Sequence, residues 1–254
     1  MDFKEFDHSI RPERHPWELA RIEVIIRLIK EFIPYDESLQ VLEIGCGDVF
    51  VLESLAEKFP RWSFVGTDIS FPDSFLNHYK HERIMIYKNS EEAVNKIKRH
   101  IDLVLLLDVI EHVPDDVQFV KDIVRFSHID NQTDFIITVP SFQWLFCSHD
   151  IFLQHYRRYT NNSLLTLFRE VGLKHVTIGY FFGSLLFTRM IRAGLEKFNL
   201  IKPSKGLSNW HYTNLSTMLH LILSYDFKLT FALKKFGVNT PGLSNYAICR
   251  KSEL

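Results

Sequence analysis

Val41-Leu42-Glu43-Ile44-Gly45-Cys46-Gly47-Asp48 is a short apolar run that breaks into two glycines spaced by one residue. The run reads as a buried strand. The glycines let the backbone turn sharply and approach a ligand, with a helix N-terminus behind them. A lone Gly-x-Gly is weak evidence, so its surroundings matter. A second apolar run, Ser63–Thr67, is followed at once by Asp68, 21 residues after Gly47. There a carboxylate can accept both hydroxyls of a ribose, a pairing that also fits a dinucleotide site. Two features tilt against the dinucleotide: Glu43 lies two residues before the first glycine, and Phe50 stands where Gly-x-Gly-x-x-Gly needs its third glycine.

Outward from this stretch the pattern alternates. Strands are expected at Gln40–Ile44, Ser63–Thr67, Arg83–Tyr87, Asp102–Leu107 and Asp134–Val139, with helical windows at 49–59, 72–80, 90–99 and 115–127 between them. Leu103-Val104-Leu105-Leu106-Leu107 is continuous rather than alternating, as in a strand buried on both faces. Strand–helix alternation of this kind predicts a parallel sheet with right-handed crossovers. Ahead of it, Trp17 to Phe32 carries apolar residues at helical spacing and stops at Pro34. After Pro140 come an aromatic and basic loop (141–160), a helix at 161–171 closed by Gly172, a strand near 174–181, helices at 183–198 and 213–235, and a last strand at Asn245–Arg250. The chain reads as one domain, with a core of about 36–182 plus 243–251, an N-terminal helix of about 15–33, and a helical insertion or lid of about 183–240.

Three motifs in order then carry a family resemblance. Val41–Asp48 resembles the first motif of class I S-adenosylmethionine (SAM)-dependent methyltransferases, in the type 11/23-like subgroup. Phe64-Val65-Gly66-Thr67-Asp68-Ile69 resembles their second strand, and Asp108-Val109-Ile110-Glu111-His112-Val113 the segment that ends their fourth. The resemblance covers about 38–175, with an echo at Gly242–Lys251. It implies a doubly wound, mostly parallel seven-stranded α/β sheet with a helical C-terminal elaboration, and SAM as cofactor. It further implies that Glu43 anchors the motif near the methionine amino group and that the Gly45–Gly47 backbone, Cys46 included, lies along the cofactor. Asp68 takes the ribose hydroxyls, Ile69 packs on adenine, Asn89 and Ser90 lie by the adenine amine, and Asp108 and Val109 line the methionine end. One departure is Val49, where the family often has a third glycine.

On the acceptor side, Ser148-His149-Asp150-Ile151-Phe152-Leu153-Gln154-His155-Tyr156-Arg157-Arg158-Tyr159-Thr160 is the densest polar and aromatic cluster. It follows the fifth strand, whose carboxyl end faces the ligand crevice of such a sheet. The segment resembles one found in a bacterial subgroup of glycan and small-molecule methyltransferases. His112, His149 and His155 are candidate general bases for a hydroxyl, because imidazole titrates near neutrality. Arg158 and Tyr159 complete the candidate catalytic set, and Arg157 or Arg158 could fork onto a carboxylate or phosphate. Asp108, Glu111, His112 and a later histidine are grouped as in RNA 3′-end 2′-O-methyltransferases and quinone-biosynthesis O-methyltransferases. The same pattern occurs widely in members without a metal, and none is expected here.

The three cysteines, Cys46, Cys147 and Cys249, show neither disulfide nor zinc spacing, which points to a reducing cytoplasm. The N-terminus is charged, without the apolar segment of a signal peptide. A net charge of −1 hides an asymmetry: residues 1–150 carry 16 Lys and Arg against 27 Asp and Glu, while residues 151–254 carry 14 against 4. The two halves could complement each other, or the basic half could face something anionic. The expected activity is methyl transfer to an oxygen of a small-molecule or glycan-type acceptor. Balanced charge and the lack of an RNA-binding module argue against nucleic acid. The alternatives are RNA 2′-O-methylation and a catalytically silent SAM-fold binding protein. A homodimer and peripheral membrane contact are both compatible with the C-terminal helices.

Overall fold

Leu103–Leu107 (β4) lies at the centre of the sheet, all five residues buried. Its side chains alternate between two cores. Leu103, Leu105 and Leu107 join one apolar cluster, while Val104 and Leu106 join the other. A strand covered on both faces has no use for polar residues, which is why this run reads as uninterrupted leucine and valine. The computed structural model describes residues 14–34, 37–202 and 214–252. The N-terminal residues expected to carry no signal peptide, and residues 203–213, which lead into the last expected helix, lie outside them.

The sheet has seven strands in the order β3-β2-β1-β4-β5-β7-β6. They are β1 Gln40–Ile44, β2 Ser63–Thr67, β3 Ile84–Tyr87, β4, β5 Asp134–Pro140, β6 Leu173–Phe181 and β7 Ser244–Lys251. The first five are parallel, and β7 inserts antiparallel between β5 and β6. Helices α1 (Pro16–Phe32), α2 (Phe50–Lys58) and α3 (Asp73–His78) cover one face; α4 (Ser90–Lys96), α5 (Asp116–Val124) and α7 (Asn161–Val171) cover the other. Between β1 and β4 the strand order reverses. A crevice opens at such a point, outside the carboxyl ends of the strands.

Local signals set the helix ends. Pro16 opens α1, Glu18 accepts from the His15 N–H at 3.2 Å, and the His15 ring accepts from the Trp17 N–H at 3.2 Å. Gly172 closes α7 in the left-handed conformation, φ 75°, as C-cap glycine does. The 141–160 stretch is more ordered than a loop: it holds a 3₁₀ turn at Gln143–Leu145 and a short helix, α6 (Ser148–Phe152). Asp150 produces the helix by accepting from the Cys147 N–H at 2.9 Å.

Beyond β6 come α8 (Gly183–Lys197) and α9 (Asn214–Lys235). Leu223, Phe227 and Phe231 of α9 are buried in the α1-side core, and the Phe231 ring meets Phe32 edge-on at 6.2 Å. The return into β7 runs through Gly242, where an added Cβ would lie 2.2 Å from the Phe181 carbonyl oxygen. All three nearest atoms are Phe181 backbone, which cannot swing aside as a side chain would. Gly242→Ala is therefore expected to lower stability by about 1–3 kcal/mol, the usual penalty of overpacking, read as an earlier urea midpoint with an unchanged slope.

Candidate active site

Four turns at the carboxyl edge hold non-glycine residues in left-handed backbone: Val49 after β1 (φ 68°), Asp108 after β4 (φ 58°), Phe142 after β5 (φ 63°) and Phe182 after β6 (φ 61°). Each such residue costs about 1–3 kcal/mol, and such strain gathers at functional sites. Val49 is β-branched and fully buried, the least tolerant type for that conformation.

The glycine turn is clipped to β2. Gly45 N–H and Cys46 N–H donate to the Thr67 carbonyl at 2.7 and 3.0 Å, and Gly47 N–H donates to Asp68 Oδ2 at 2.9 Å. Asp68 Oδ1 accepts from Ser70 N–H at 2.8 Å, so each carboxylate oxygen keeps a lone pair for another donor. Gly45 and Gly47 both have positive φ, and a Cβ on Gly45 would strike Val109 Cγ2 at 2.6 Å. Beneath the turn Glu43 is buried with Oε2 unpartnered. Burial pushes its carboxyl up to about 8, against the pull of Arg21. Ile69 stands 83% exposed, a large apolar side chain on the rim with nothing over it. The Asn89 side chain caps α4 by accepting from Glu92 N–H at 2.8 Å, one residue before Ser90 opens that helix.

Asp108 is anchored from two sides. Arg21 of α1 pairs with its Oδ2 at 2.7 Å and also donates to the Leu107 carbonyl at 3.1 Å, while Thr138 Oγ1 donates to Oδ1 at 3.1 Å. Arg21 is missing from the sequence reading. Its signal was a cation within the apolar run of α1, beside Ala20 and Ile22.

The acceptor-side cluster turns on Asp150, which is fully buried. Arg158 Nε donates to its Oδ1 at 2.7 Å, Arg189 of α8 to its Oδ2 at 2.9 Å, and His155 Nδ1 lies 3.0 Å from Oδ1. Burial alone would raise this carboxyl, but the bonds from His155 and Arg158 hold it well below the usual carboxylate range. The His155 ring meets His112 edge-on at 4.6 Å. One ligand atom each of Glu111, His112 and His155 lie within 4.8 Å of one another. Both Glu111 oxygens are buried and unpartnered, and burial next to Asp108 raises that carboxyl well above its ordinary value.

Two expected catalytic groups have their polar atoms engaged within the protein. The Tyr159 hydroxyl is buried and donates to Asp116 Oδ2 at 2.7 Å, which braces the segment against α5. Arg158 is likewise committed, to Asp150 and to the Ser141 carbonyl at 3.1 Å. His149 is a poor base: burial and the Arg189 cation push its imidazole down from 6.5 to about 4. Arg157 pairs with Asp116. Of the expected histidines, His112 and His155 come together.

A family model described as a methyltransferase domain matches residues 17–178. The chain belongs to the class I SAM-dependent methyltransferases. Comparison with curated proteins gives no match. Among solved structures, a SAM-dependent methyltransferase from Archaeoglobus fulgidus aligns at 17% identity and TM-score 0.50, covering 91% of this chain and 94% of that one. A putative sarcosine dimethylglycine methyltransferase from Galdieria sulphuraria aligns at 14% and 0.54, covering 92% and 86%. The plantazolicin methyltransferase BamL, solved with S-adenosylhomocysteine, aligns at 13% and 0.53, covering 92% and 85%. At these identities the structural likeness concerns the fold. This methyltransferase therefore uses SAM as its methyl donor, and the glycine turn with its lone-pair-bearing Asp68 and orphaned Glu43 oxygen has the polarity such a ligand needs.

Two consequences follow for the enzyme's stability. Asp150→Asn leaves two buried guanidinium groups without their anion, so stability should fall by about 3–5 kcal/mol, measured by urea denaturation. His149 titrates lower folded than unfolded, so the stability it contributes is complete above pH 6.5 and is lost as pH falls toward about 4. Melting temperatures of His149→Gln should therefore decline less steeply across that window than those of the wild type.

Proposed function

We propose that the enzyme transfers the SAM methyl group to an oxygen of an anionic small-molecule or glycan-type acceptor lying between the Asp108–His112 turn and the 141–160 segment. In this reading Glu43 and the Gly45–Gly47 backbone, with Cys46, hold the methionine portion, and Asp108 and Val109 border its reactive end. Asp68 accepts the ribose hydroxyls, Ile69 covers adenine, and Asn89 and Ser90 border its edge. SAM supplies an electrophilic methyl on a sulfonium. Displacement from it needs positioning above all, and a base matters when the acceptor is a hydroxyl.

The observation that carries the oxygen assignment is the His155–Asp150 pair. A carboxylate accepting from Nδ1–H fixes the tautomer that leaves Nε2 as the proton acceptor. Asp150 is locked from three sides, so the imidazole is held rather than free to swing. The anionic preference rests on charge. Residues 151–254 carry 14 Lys and Arg against 4 Asp and Glu, and beside the histidine pair Arg189 keeps an Nε without a partner. Reaction in the cytoplasm fits the unpaired, scattered cysteines.

A second reading is favoured by one specific observation, the convergence of Glu111, His112 and His155 ligand atoms within 4.8 Å. Two imidazoles and a carboxylate suit a divalent transition ion, and Asp150 would be the outer partner that orients His155. The two readings part under chelation. Base catalysis predicts that turnover survives dialysis against EDTA. Loss of turnover restored by a divalent ion would assign these three residues to a metal.

Two substitutions test the main reading. Asp68→Ala should weaken SAM binding by more than about tenfold, since a hydrogen bond to a charged group is worth about 1.5–3 kcal/mol; unchanged calorimetric affinity in a folded variant would contradict the cofactor assignment. His155→Ala should lower kcat by about 10²–10⁴ while leaving SAM affinity alone. Wild-type turnover by that variant would make the histidine structural.

A further inference from the structure

Helix α9 buries one face, α8 buries Leu186, and both leave an apolar stripe exposed. On α8 the stripe is Phe187, Met190, Ile191 and Phe198, with Phe187 66% and Phe198 75% exposed. Gly194 completes the spacing, and an added Cβ there meets nothing within 4 Å. On α9 the stripe is Met218, Leu221, Ile222, Tyr225 and Leu229, all exposed, opposite the buried Leu223, Phe227 and Phe231. Intervals of three and four residues put each set on one side of its helix. Contiguous exposed apolar surface of this kind marks an interaction site.

The charges around the stripes are mostly basic, although Arg189, Arg192, Lys234 and Lys235 are engaged within the protein by Asp150, Glu196, the Ile178 carbonyl and Glu31. Among the described residues of 183–202 and 214–238 there are seven Lys and Arg and two acids. Both acids are engaged within the protein: Glu196 accepts from Ser148 Oγ at 2.7 Å and pairs with Arg192 at 3.2 Å, and Asp226 accepts from Ser184 N–H at 2.7 Å and from its hydroxyl at 2.6 Å. Lys197, Lys202 and Lys228 are exposed beside the apolar residues. No described helix is long and apolar enough to cross a membrane.

We infer that α8 and α9 together form an interfacial face that seats the enzyme on an anionic lipid bilayer. The apolar stripes sink to the level of the acyl boundary, and the lysines stay among the headgroups, where each adds attraction. A second copy of the chain would bring like charge against like charge across the same face, which disfavours it as the occupant. The seat is tied to the reaction centre, because Arg189 of α8 pairs with Asp150 at 2.9 Å. Resting on the proposed function, this makes the acceptor a lipid-linked anionic molecule presented from the bilayer surface.

The test is co-sedimentation of the full chain with vesicles of phosphatidylcholine alone and of phosphatidylcholine mixed with phosphatidylglycerol, at low and high salt. The protein should sediment with the mixed vesicles at low salt and be released by high salt. The double variant Lys197→Glu/Lys228→Glu, at exposed positions that leave the core intact, should bind the mixed vesicles at least about tenfold more weakly. Phe187→Ser/Phe198→Ser should reduce binding at every salt concentration, with circular dichroism and SAM affinity unchanged in both variants. Wild-type protein that stays in the supernatant with every vesicle overturns the inference. So does a sedimentation-equilibrium dimer that Phe187→Ser/Phe198→Ser dissociates without vesicle binding in the wild type. SAM affinity measured alongside keeps a failure of the seat distinct from a failure of the methyltransfer reading.

Discussion

The proposed acceptor side of this enzyme depends on one buried carboxylate. Asp150 has no exposed surface, yet it stays ionised because two guanidinium groups, an imidazole and a backbone N–H converge on it. Removing a charge from water costs several kcal/mol, and only such complete hydrogen bonding offsets it. The geometry that satisfies the charge also draws four parts of the chain together. Cys147 starts α6, His155 ends the turn after it, Arg158 leads toward α7, and Arg189 comes from α8. The same contact that fixes the histidine also fixes where the C-terminal helices attach.

The cofactor side follows a different logic, in which backbone strain replaces buried charge. Left-handed residues stand after β1, β4, β5 and β6, and none of the four is glycine. Asp108 holds its conformation because Arg21 and Thr138 grip its carboxylate. Val49 holds its own because it is packed on all sides. These are positions where surrounding structure over-determines a conformation the chain would not choose alone, and Val49 and Asp108 flank the switch point between β1 and β4.

The alternation of strands and helices was legible because four of the five strands of the parallel half are buried on both faces. Runs such as Leu103–Leu107 carry that information locally. The glycine turn was legible for a related reason: positive φ at Gly45 and Gly47, and close approach at Gly45, restrict those positions to few residue types. Long-range pairs were not legible. Nothing near Arg189 says that its partner is Asp150, 39 residues earlier, although a cation closing the apolar run from Tyr180 to Thr188 was a visible anomaly. Tyr159 and Arg158 looked catalytic because polar and aromatic residues cluster in that stretch. In the fold their polar atoms are spent on Asp116 and Asp150. A sequence shows which groups are present, and the fold decides which of them remain unspent.

We propose that the donor lies along the glycine turn with its reactive end directed toward the His112–His155 pair. A crystal structure of the enzyme with S-adenosylhomocysteine tests it most directly. Both ribose hydroxyls are expected on Asp68, adenine beneath Ile69, and the sulfur on the side of Asp108 that faces His155. A ligand bound elsewhere, or one seated at the turn with its sulfur directed away from the 141–160 segment, would contradict it.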